Sequence, residues 1–476
     1  MGNTRRFRSG LWVLLALSAA LAVCLVGSCG RTPRAPSKQL NLLLIMIDTL
    51  RADHLSCYGY ERPTSPNIDA LATQSTLFEN AIAPSPWTLP SVASILTGLH
   101  STRHQAIRER FPLPQHRETL AEVLTGQGYT AGAFVSGIFV TAQYGIDQGF
   151  ADFDESFVGD HTHVSSPEIT DAAVEWLRHQ GDSPFVLFLH YFDPHDAYIA
   201  HPGFEFGKPY DGWVDPTIEP RVLSRQAARF DEEDRDYLIS CYDSEIKFTD
   251  YHVGRVLDEL KTLGLDESTV VVLTSDHGEE FLEHGLLGHR RTLYEEVLHV
   301  PLLLRHPDMR DLPERVVQPV GLVHLMPTLL DMLGVEWDAQ ETDARSFLDA
   351  VQGKADFDSL VFSERCTRSI QELMEEPRRP KGSRRNLRSL RTGPWKLIRR
   401  VDFDQSELYN LASDPGEQRD LRRTEAEGRA GRLEEILFRW MAQTEELASV
   451  ENPEAPVTIR YNKETEARLR ALGYLQ

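Results

Sequence analysis

Cysteine is scarce, five in 476 residues, and so thin a supply makes no disulfide scaffold. Positive charge is in deficit as well. Fifty Lys and Arg stand against 72 Asp and Glu, a formal net charge of −22. Duplex affinity comes mostly from Lys and Arg neutralising phosphates, so this balance argues against a general nucleic-acid binder. It does not exclude a small anionic substrate. No internal repeats or low-complexity tracts are present, and the 41% hydrophobic and 26% charged fractions are ordinary globular values. A chain of this composition buries a large core, as two to four domains or as one large α/β unit.

Before Asn41 the sequence reads as an address. Arg5, Arg6 and Arg8 form a basic start with no acid nearby, and Leu11 to Val26 is an almost entirely apolar run of 16 residues. A bilayer-spanning helix needs roughly 20 residues, whereas a signal h-region is about this short. Val26-Gly27-Ser28-Cys29-Gly30 comes directly after it and resembles the bacterial lipobox, whose Cys is lipidated. The expectation is a lipoprotein signal peptide over 1–28, a lipid anchor at Cys29 and a tether over 29–40. Such a protein works in the bacterial cell envelope, at the periplasmic face or the outer membrane. Ordinary cleavage or a retained signal anchor are the alternatives. Only Cys57, Cys241 and Cys366 then remain, an odd number that implies no disulfide pairing.

Asn41 to Ile47 is a continuous apolar run ended by Asp48, the pattern of a strand buried on both faces of a parallel sheet. Tyr129 to Val135, Phe185 to Leu189 and Thr269 to Leu273 repeat it. Helical patterns lie between them: Glu118 to Thr125, closed by Gly126 and Gly128; Pro167 to His179, with Ser166 as N-cap; and Glu232 to Leu263, stopped by Gly264. The alternation predicts an α/β fold with a doubly wound, mostly parallel central sheet flanked by helices, over 41–350. A small C-terminal α+β subdomain is expected over 351–447 and a tail over 448–476. Arg365 to Arg400 holds 12 Lys and Arg against three Glu, either a solvated basic loop or a contact for a polyanion or membrane surface. Ser389 to Val401 and Glu407 to Leu411 read as strands, Ser413 to Gly416 as a turn, and Thr424 to Leu447 as helix.

In doubly wound sheets ligands bind beyond the carboxyl ends of strands, and metal-type side chains gather there in this sequence. Asp48 follows the first strand, Asp276 and His277 follow Ser275, and His190, Asp193 and His195 follow Leu189. One Asp at a strand end is commonly a turn or cap residue; several on the ligand face suggest a cation. Carboxylate with imidazole suits Ca, Mg, Mn or Zn. Thr88 precedes Pro90 at the predicted start of a helix running to about Leu96. A hydroxyl there meets free N–H groups and the positive end of the dipole, and beside a divalent cation it becomes a nucleophile. The plainer reading is that Thr88 is an N-cap. Tyr242, Glu245 and Asp250 read as core or surface, and Arg103-His104 as shaping a loop.

Asp48-Thr-Leu-Arg-Ala-Asp53, Leu96-Thr-Gly98, Ser275-Asp-His-Gly-Glu279, Leu293-Tyr-Glu-Glu-Val-Leu-His-Val-Pro301, Arg391-Thr-Gly-Pro-Trp-Lys-Leu-Ile398 and Glu407-Leu-Tyr-Asn-Leu411 resemble the sulfatase family of the alkaline phosphatase superfamily. The ending, Arg468 to Leu475, is similar too. The resemblance covers most of Asn41 to about Leu421 and implies a doubly wound domain with a small C-terminal sheet. Carried over position by position, it implies metal ligands at Asp48, Asp276 and His277, with the nucleophile Thr88 at the same site. It implies His195 and Arg290, with His289 beside it, as catalytic groups. Asp193, His195 and His289 are the candidates for a second cation.

The chain departs from the family where sulfate is bound. Sulfatases carry Cys or Ser in Cys/Ser-x-Pro-x-Arg, oxidised to formylglycine; here Thr88 stands for the Cys and Val92 for the Arg. Thr49 replaces a second Asp, and Ser136 and Ile138 fall where Lys and His are usual. Thr cannot form the aldehyde hydrate, so chemistry that does not depend on formylglycine is expected, as in superfamily phosphodiesterases and phosphotransferases with a phospho-threonine. The expectation is a metal-dependent hydrolase or transferase of sulfate or phosphate esters. The alternative is a non-catalytic relative binding an anionic glycan or envelope component. Oligomeric state is not fixed by these residues.

Overall fold

The computed structural model describes residues 39–476 apart from 161, 200, 309–311, 338–341, 355–359, 369–371, 373–385, 425–426, 453–456, 462, 464, 467–468 and 470–476. The expected signal peptide, the lipidated Cys29 and nearly all of the tether lie outside the described residues, as do most of Arg468 to Leu475 and the middle of the basic stretch.

Eight strands form the main sheet: β1 (Asn41–Ile47), β2 (Thr76–Phe78), β3 (Thr130–Val135), β4 (Asp152–Asp154), β5 (Phe185–Tyr191), β6 (Thr269–Thr274), β7 (Leu302–Arg305) and β8 (Arg315–Val316). Their order is β8-β2-β7-β6-β1-β5-β3-β4. β6, β1, β5, β3 and β4 run parallel, β8 is parallel to β2, and β7 is antiparallel to both its neighbours. The sheet is mostly parallel, as the apolar runs predict, and β1, β5 and β6 are buried along their whole length. Helices cover both faces: α1 (Pro66–Ala72), α2 (Thr88–Thr97), α3 (Leu120–Gly126), α4 (Ser166–Arg178), α5 (Glu232–Thr262) and α6 (Leu325–Leu333).

Two core layers arise from strand alternation. Leu42, Leu44 and Met46 pack with Leu89, Val92 and Ile95 of α2. Leu43, Ile45 and Ile47 pack with Ile169 and Ala173 of α4 and with Ile246 and Val253 of α5. Leu40–Gln476 is a single compact unit. Its C-terminal part carries a four-stranded antiparallel sheet, β9 (Val361–Arg365), β10 (Leu387–Thr392), β11 (Trp395–Arg400) and β12 (Gln405–Asn410), against α7 (Glu427–Glu451).

Two expectations need correction, and a third is sharpened. Ser389 to Val401 is not one strand but a hairpin, because Gly393 takes φ 52° and Thr392 pairs with Trp395. The basic residues at the heart of the small sheet are neither a solvated loop nor an open patch. Arg388 pairs with Glu364, Lys396 with Glu295 and Glu417, and Arg391 with Glu295, and these cations and acids are all largely buried. Tyr242, Glu245 and Asp250 of α5 are structural anchors; Asp250, for instance, accepts from the N–H groups of Asn67 and Ile68 at the start of α1. Among the described residues no helix is long and apolar enough to cross a membrane.

Candidate metal centre and nucleophile

β1, β5 and β6 are adjacent and parallel, so their carboxyl ends meet at one edge of the sheet. Met46 pairs with His190 on one side and with Thr274 on the other. Asp48 and Asp276 lie two residues beyond these partners, so Asp48, His190 and Asp276 share one face. Asp48 continues the ladder, its N–H donating to the Tyr191 carbonyl at 2.9 Å. The shared face is the one that α2 covers, and α2 begins at Thr88.

The ligating atoms of Asp48, His190 and Asp276 lie within 4.8 Å of one another. Both carboxylate oxygens of Asp48, Oδ2 of Asp276 and both ring nitrogens of His190 are buried without a hydrogen-bond partner. His277 Nε2 lies 3.6 Å from Asp48 Oδ1 and 3.4 Å from Asp276 Oδ2. Its Nδ1 sits 2.9 Å from the Gly278 carbonyl, which can only accept, so Nδ1 carries the hydrogen and Nε2 presents a lone pair. Burial pushes the Asp48 carboxyl well above its usual range, and the neighbouring Asp276 charge adds to this. Burial likewise lowers His277 to about 3 and His190 to about 4, so both imidazoles are neutral and competent as ligands. Orphaned carboxylates facing neutral imidazoles fit a divalent cation and little else.

Thr88 Oγ1 is 3.3 Å from His277 Nε2. It does not cap its helix: the N-cap is Trp87, with no side-chain cap bond, and Thr88 is the first helical residue. The capping reading therefore fails, and the hydroxyl is left facing the cation cluster. Ser91, one turn on, ties α2 to the β6 end by donating to the Asp276 carbonyl at 2.6 Å.

The remaining predicted groups divide. His195 and His289 come together, ring centroids 5.0 Å apart, and His289 lies 4.4 Å from the His277 ring. Burial opposes a charge on His195, but Asp196 at 2.7 Å outweighs it and raises His195 to about 10. His289 is driven the other way, chiefly by burial, and its Nδ1 faces Glu279 at 3.3 Å. Arg290 lies beside the loop leading to Thr88, its N–H on the Pro86 carbonyl at 2.9 Å. Its guanidinium is over the Trp87 ring at 4.2 Å and bonded to Glu109 at 2.7 Å. Asp193 is not at the cluster; it accepts from the N–H and hydroxyl of Ser166 at the start of α4. Val92 and Ile138 are core residues, and the Ser136 hydroxyl bonds the His190 carbonyl at 3.1 Å.

One supporting residue carried no signal in the sequence. Thr49 has φ 55°, a left-handed conformation that is costly for a β-branched residue, about 1–3 kcal/mol. The Tyr242 hydroxyl bridges this turn, donating to the Thr49 carbonyl at 2.8 Å and accepting from the Arg51 N–H at 3.0 Å. Tyr242→Phe strands both backbone groups in a buried place. The expected result is a loss of about 1–3 kcal/mol in denaturant unfolding, with weaker cation binding as Asp48 loosens.

A second grouping, Glu280, His284 and Glu296, also brings its atoms within 4.8 Å, but it is an ion-paired knot. His284 Nδ1 meets Glu296 Oε1 at 2.7 Å and Nε2 meets the Glu417 carbonyl at 3.2 Å. Two acceptors require two protons. Burial opposes that charge, yet Glu296 raises His284 to about 9, which leaves no lone pair for a metal.

The sulfatase family profile matches residues 40–335, and a profile for the C-terminal part of N-sulphoglucosamine sulphohydrolase matches 282–439. The chain is 24% identical to a Δ4,5-hexuronate-2-O-sulfatase of Bacteroides thetaiotaomicron, over 83% of this chain and 86% of that one. It is 25% identical to human arylsulfatase K, over 86% and 83%. In fold it is similar to the phosphonate monoester hydrolase of Agrobacterium radiobacter, with TM-score 0.70 and 21% identity, covering 85% of this chain and 96% of that one. With more than half its length under one profile, the chain belongs to the sulfatase family.

Proposed function

We propose that this protein is a metal-dependent hydrolase or transferase of sulfate or phosphate esters that uses Thr88, not formylglycine, as its nucleophile. The observation that carries the reading is the Thr88 hydroxyl, buried, uninvolved in capping, and 3.3 Å from His277 Nε2 beside Asp48 and Asp276. These four residues are the cation's candidate ligands. A bound divalent cation lowers the pKa of a neighbouring hydroxyl and neutralises charge on the group being transferred.

The chain's own groups do the rest. Thr88 stands at the N-terminus of α2, where free N–H groups favour an anionic ester. Oγ1 gives up its proton to water and forms a bond to sulfur or phosphorus, the bond to the ester oxygen breaks, and the departing oxygen takes a proton. His195, protonated and held by Asp196, is the donor suited to that step. Water then releases the sulfate or phosphate and restores Thr88, or a second alcohol does so in a transferase.

Sulfated sugars, the substrates named for relatives, and phosphonate or phosphate esters are the classes to test. Metal-loaded protein should turn over at least one of an aryl sulfate, a phosphodiester, a phosphonate monoester and a phosphomonoester. A second reading has an observation in its favour: Val92, Ser136 and Ile138 offer no cation for sulfate. Tight binding of a sulfated glycan without turnover of any ester favours that non-catalytic reading. We also propose a lipid anchor at Cys29 holding the protein in the bacterial cell envelope, supported by the basic start, the short apolar run and the small residues before Cys29.

A further inference from the structure

We infer that His190 is a ligand of the cation, and that with His277 it makes this centre a mixed nitrogen–oxygen site suited to zinc rather than to calcium or magnesium. The inference rests on the reading that Asp48 and Asp276 hold a cation.

His190 is fully buried, and neither ring nitrogen has a hydrogen-bond partner. An imidazole in that condition is unusual, because its polar atoms have lost water and gained nothing. Its Nε2 lies 3.7 Å from Asp48 Oδ2, on the sheet face that carries Asp48 and Asp276. Space has been left for the ring: a Cβ at Gly137 would stand 2.8 Å from His190 Cε1. Any side chain at 137 would displace the imidazole.

The residue has a reason to be there. Thr49, held in a left-handed turn, supplies no carboxylate, so one anionic oxygen ligand is missing from the β1 end. His190 approaches Asp48 from the neighbouring strand instead. The donor set becomes two carboxylates, two imidazoles and the Thr88 hydroxyl. Calcium takes about six to eight oxygens and magnesium about six in an octahedron. Two imidazoles, two carboxylates and a hydroxyl instead suit zinc, which takes nitrogen and oxygen donors in four- or five-coordinate sites, and the two negative charges balance the dication.

The test uses the full chain stripped of metal. Equilibrium dialysis against zinc, manganese, calcium and magnesium should rank zinc tightest. His190→Asn should lower zinc affinity by at least the roughly 10- to 100-fold that loss of an outer partner costs, and should narrow the gap between zinc and calcium. The zinc K-edge absorption spectrum of the unmutated protein should show scattering from two imidazoles, a readout that stands even where His190→Asn fails to fold. One imidazole, calcium or magnesium bound tighter than zinc, or an unchanged zinc affinity in His190→Asn overturns the inference while Asp48 and Asp276 keep their cation. Absence of any stoichiometric cation overturns both the inference and the reading beneath it.

Discussion

Thr88→Ala is expected to lower kcat for the best ester by about 10⁴-fold or more, the scale on which removal of a nucleophile acts in a hydroxyl-based hydrolase. Its fold should be nearly untouched. Trp87, not Thr88, occupies the N-cap, alanine is the best helix former, and the Thr88 hydroxyl bonds to His277 rather than to the backbone of its own helix. Unfolding by denaturant should therefore shift by no more than about 1 kcal/mol. Thr88→Ser keeps an oxygen at the same place and should retain most of the activity. The contrast separates nucleophile from scaffold: a merely structural Thr88 would lose stability along with rate. Thr88→Ala turning over ester at the rate of the unmutated protein would sink the assignment. The same variant bears on the missing formylglycine. A Thr hydroxyl attacks directly, and its oxygen must be freed again by water or by a second alcohol. Under the proposed function, hydrolase and transferase share the attack by Thr88 and differ only in the acceptor of the second transfer.

The central sheet was legible because β1, β5 and β6 are buried on both faces, and such strands must be continuous apolar runs. Asp48, Asp276 and His277 were legible because each run ends abruptly on a polar side chain. His190 was harder to place. The apolar run stops at Leu189, but the strand continues to Tyr191, which puts His190 inside the sheet opposite Met46. Once that register is known, parity alone puts it with Asp48. Tyr242 gave no signal, since its function is to bond the backbone of a turn far away in sequence. The basic stretch misled for a related reason. Composition counts charges within a window, whereas Lys396 and Arg391 are neutralised by Glu295, which lies well outside it. The hairpin had its own signal, the turn dipeptide Gly393-Pro394 inside the expected strand.

Asp48→Asn should reverse the order of stabilities depending on whether cation is present. In the metal-free protein Asp48 is 1% exposed with both oxygens unpartnered, a burial that costs free energy. The amide removes the charge, and its NH₂ has acceptors at hand in His277 Nε2 or His190 Nε2, which lie 3.6 Å and 3.7 Å from the two oxygens. Metal-free Asp48→Asn should thus be more stable than the unmutated protein by about 1–3 kcal/mol. The pH dependence has a fixed sign. Burial raises the folded-state pKa of Asp48 above its unfolded value, so the folded carboxyl binds its proton more tightly. Its contribution is fully present below about pH 4 and is lost as pH rises through the folded pKa. The advantage of Asp48→Asn therefore vanishes in acid and grows towards neutral pH. Saturating cation inverts the comparison, because a ligand at a thousand times its Kd stabilises the native state by about 4 kcal/mol and the variant, lacking a ligand, gains little. Denaturant unfolding with chelator and with cation, at pH 4 and pH 7, measures all four corners. Equal destabilisation at every corner would mean that Asp48 is an ordinary core residue, whereas a crossing of the two orders means that the fold carries this carboxylate at a cost, for the sake of a cation.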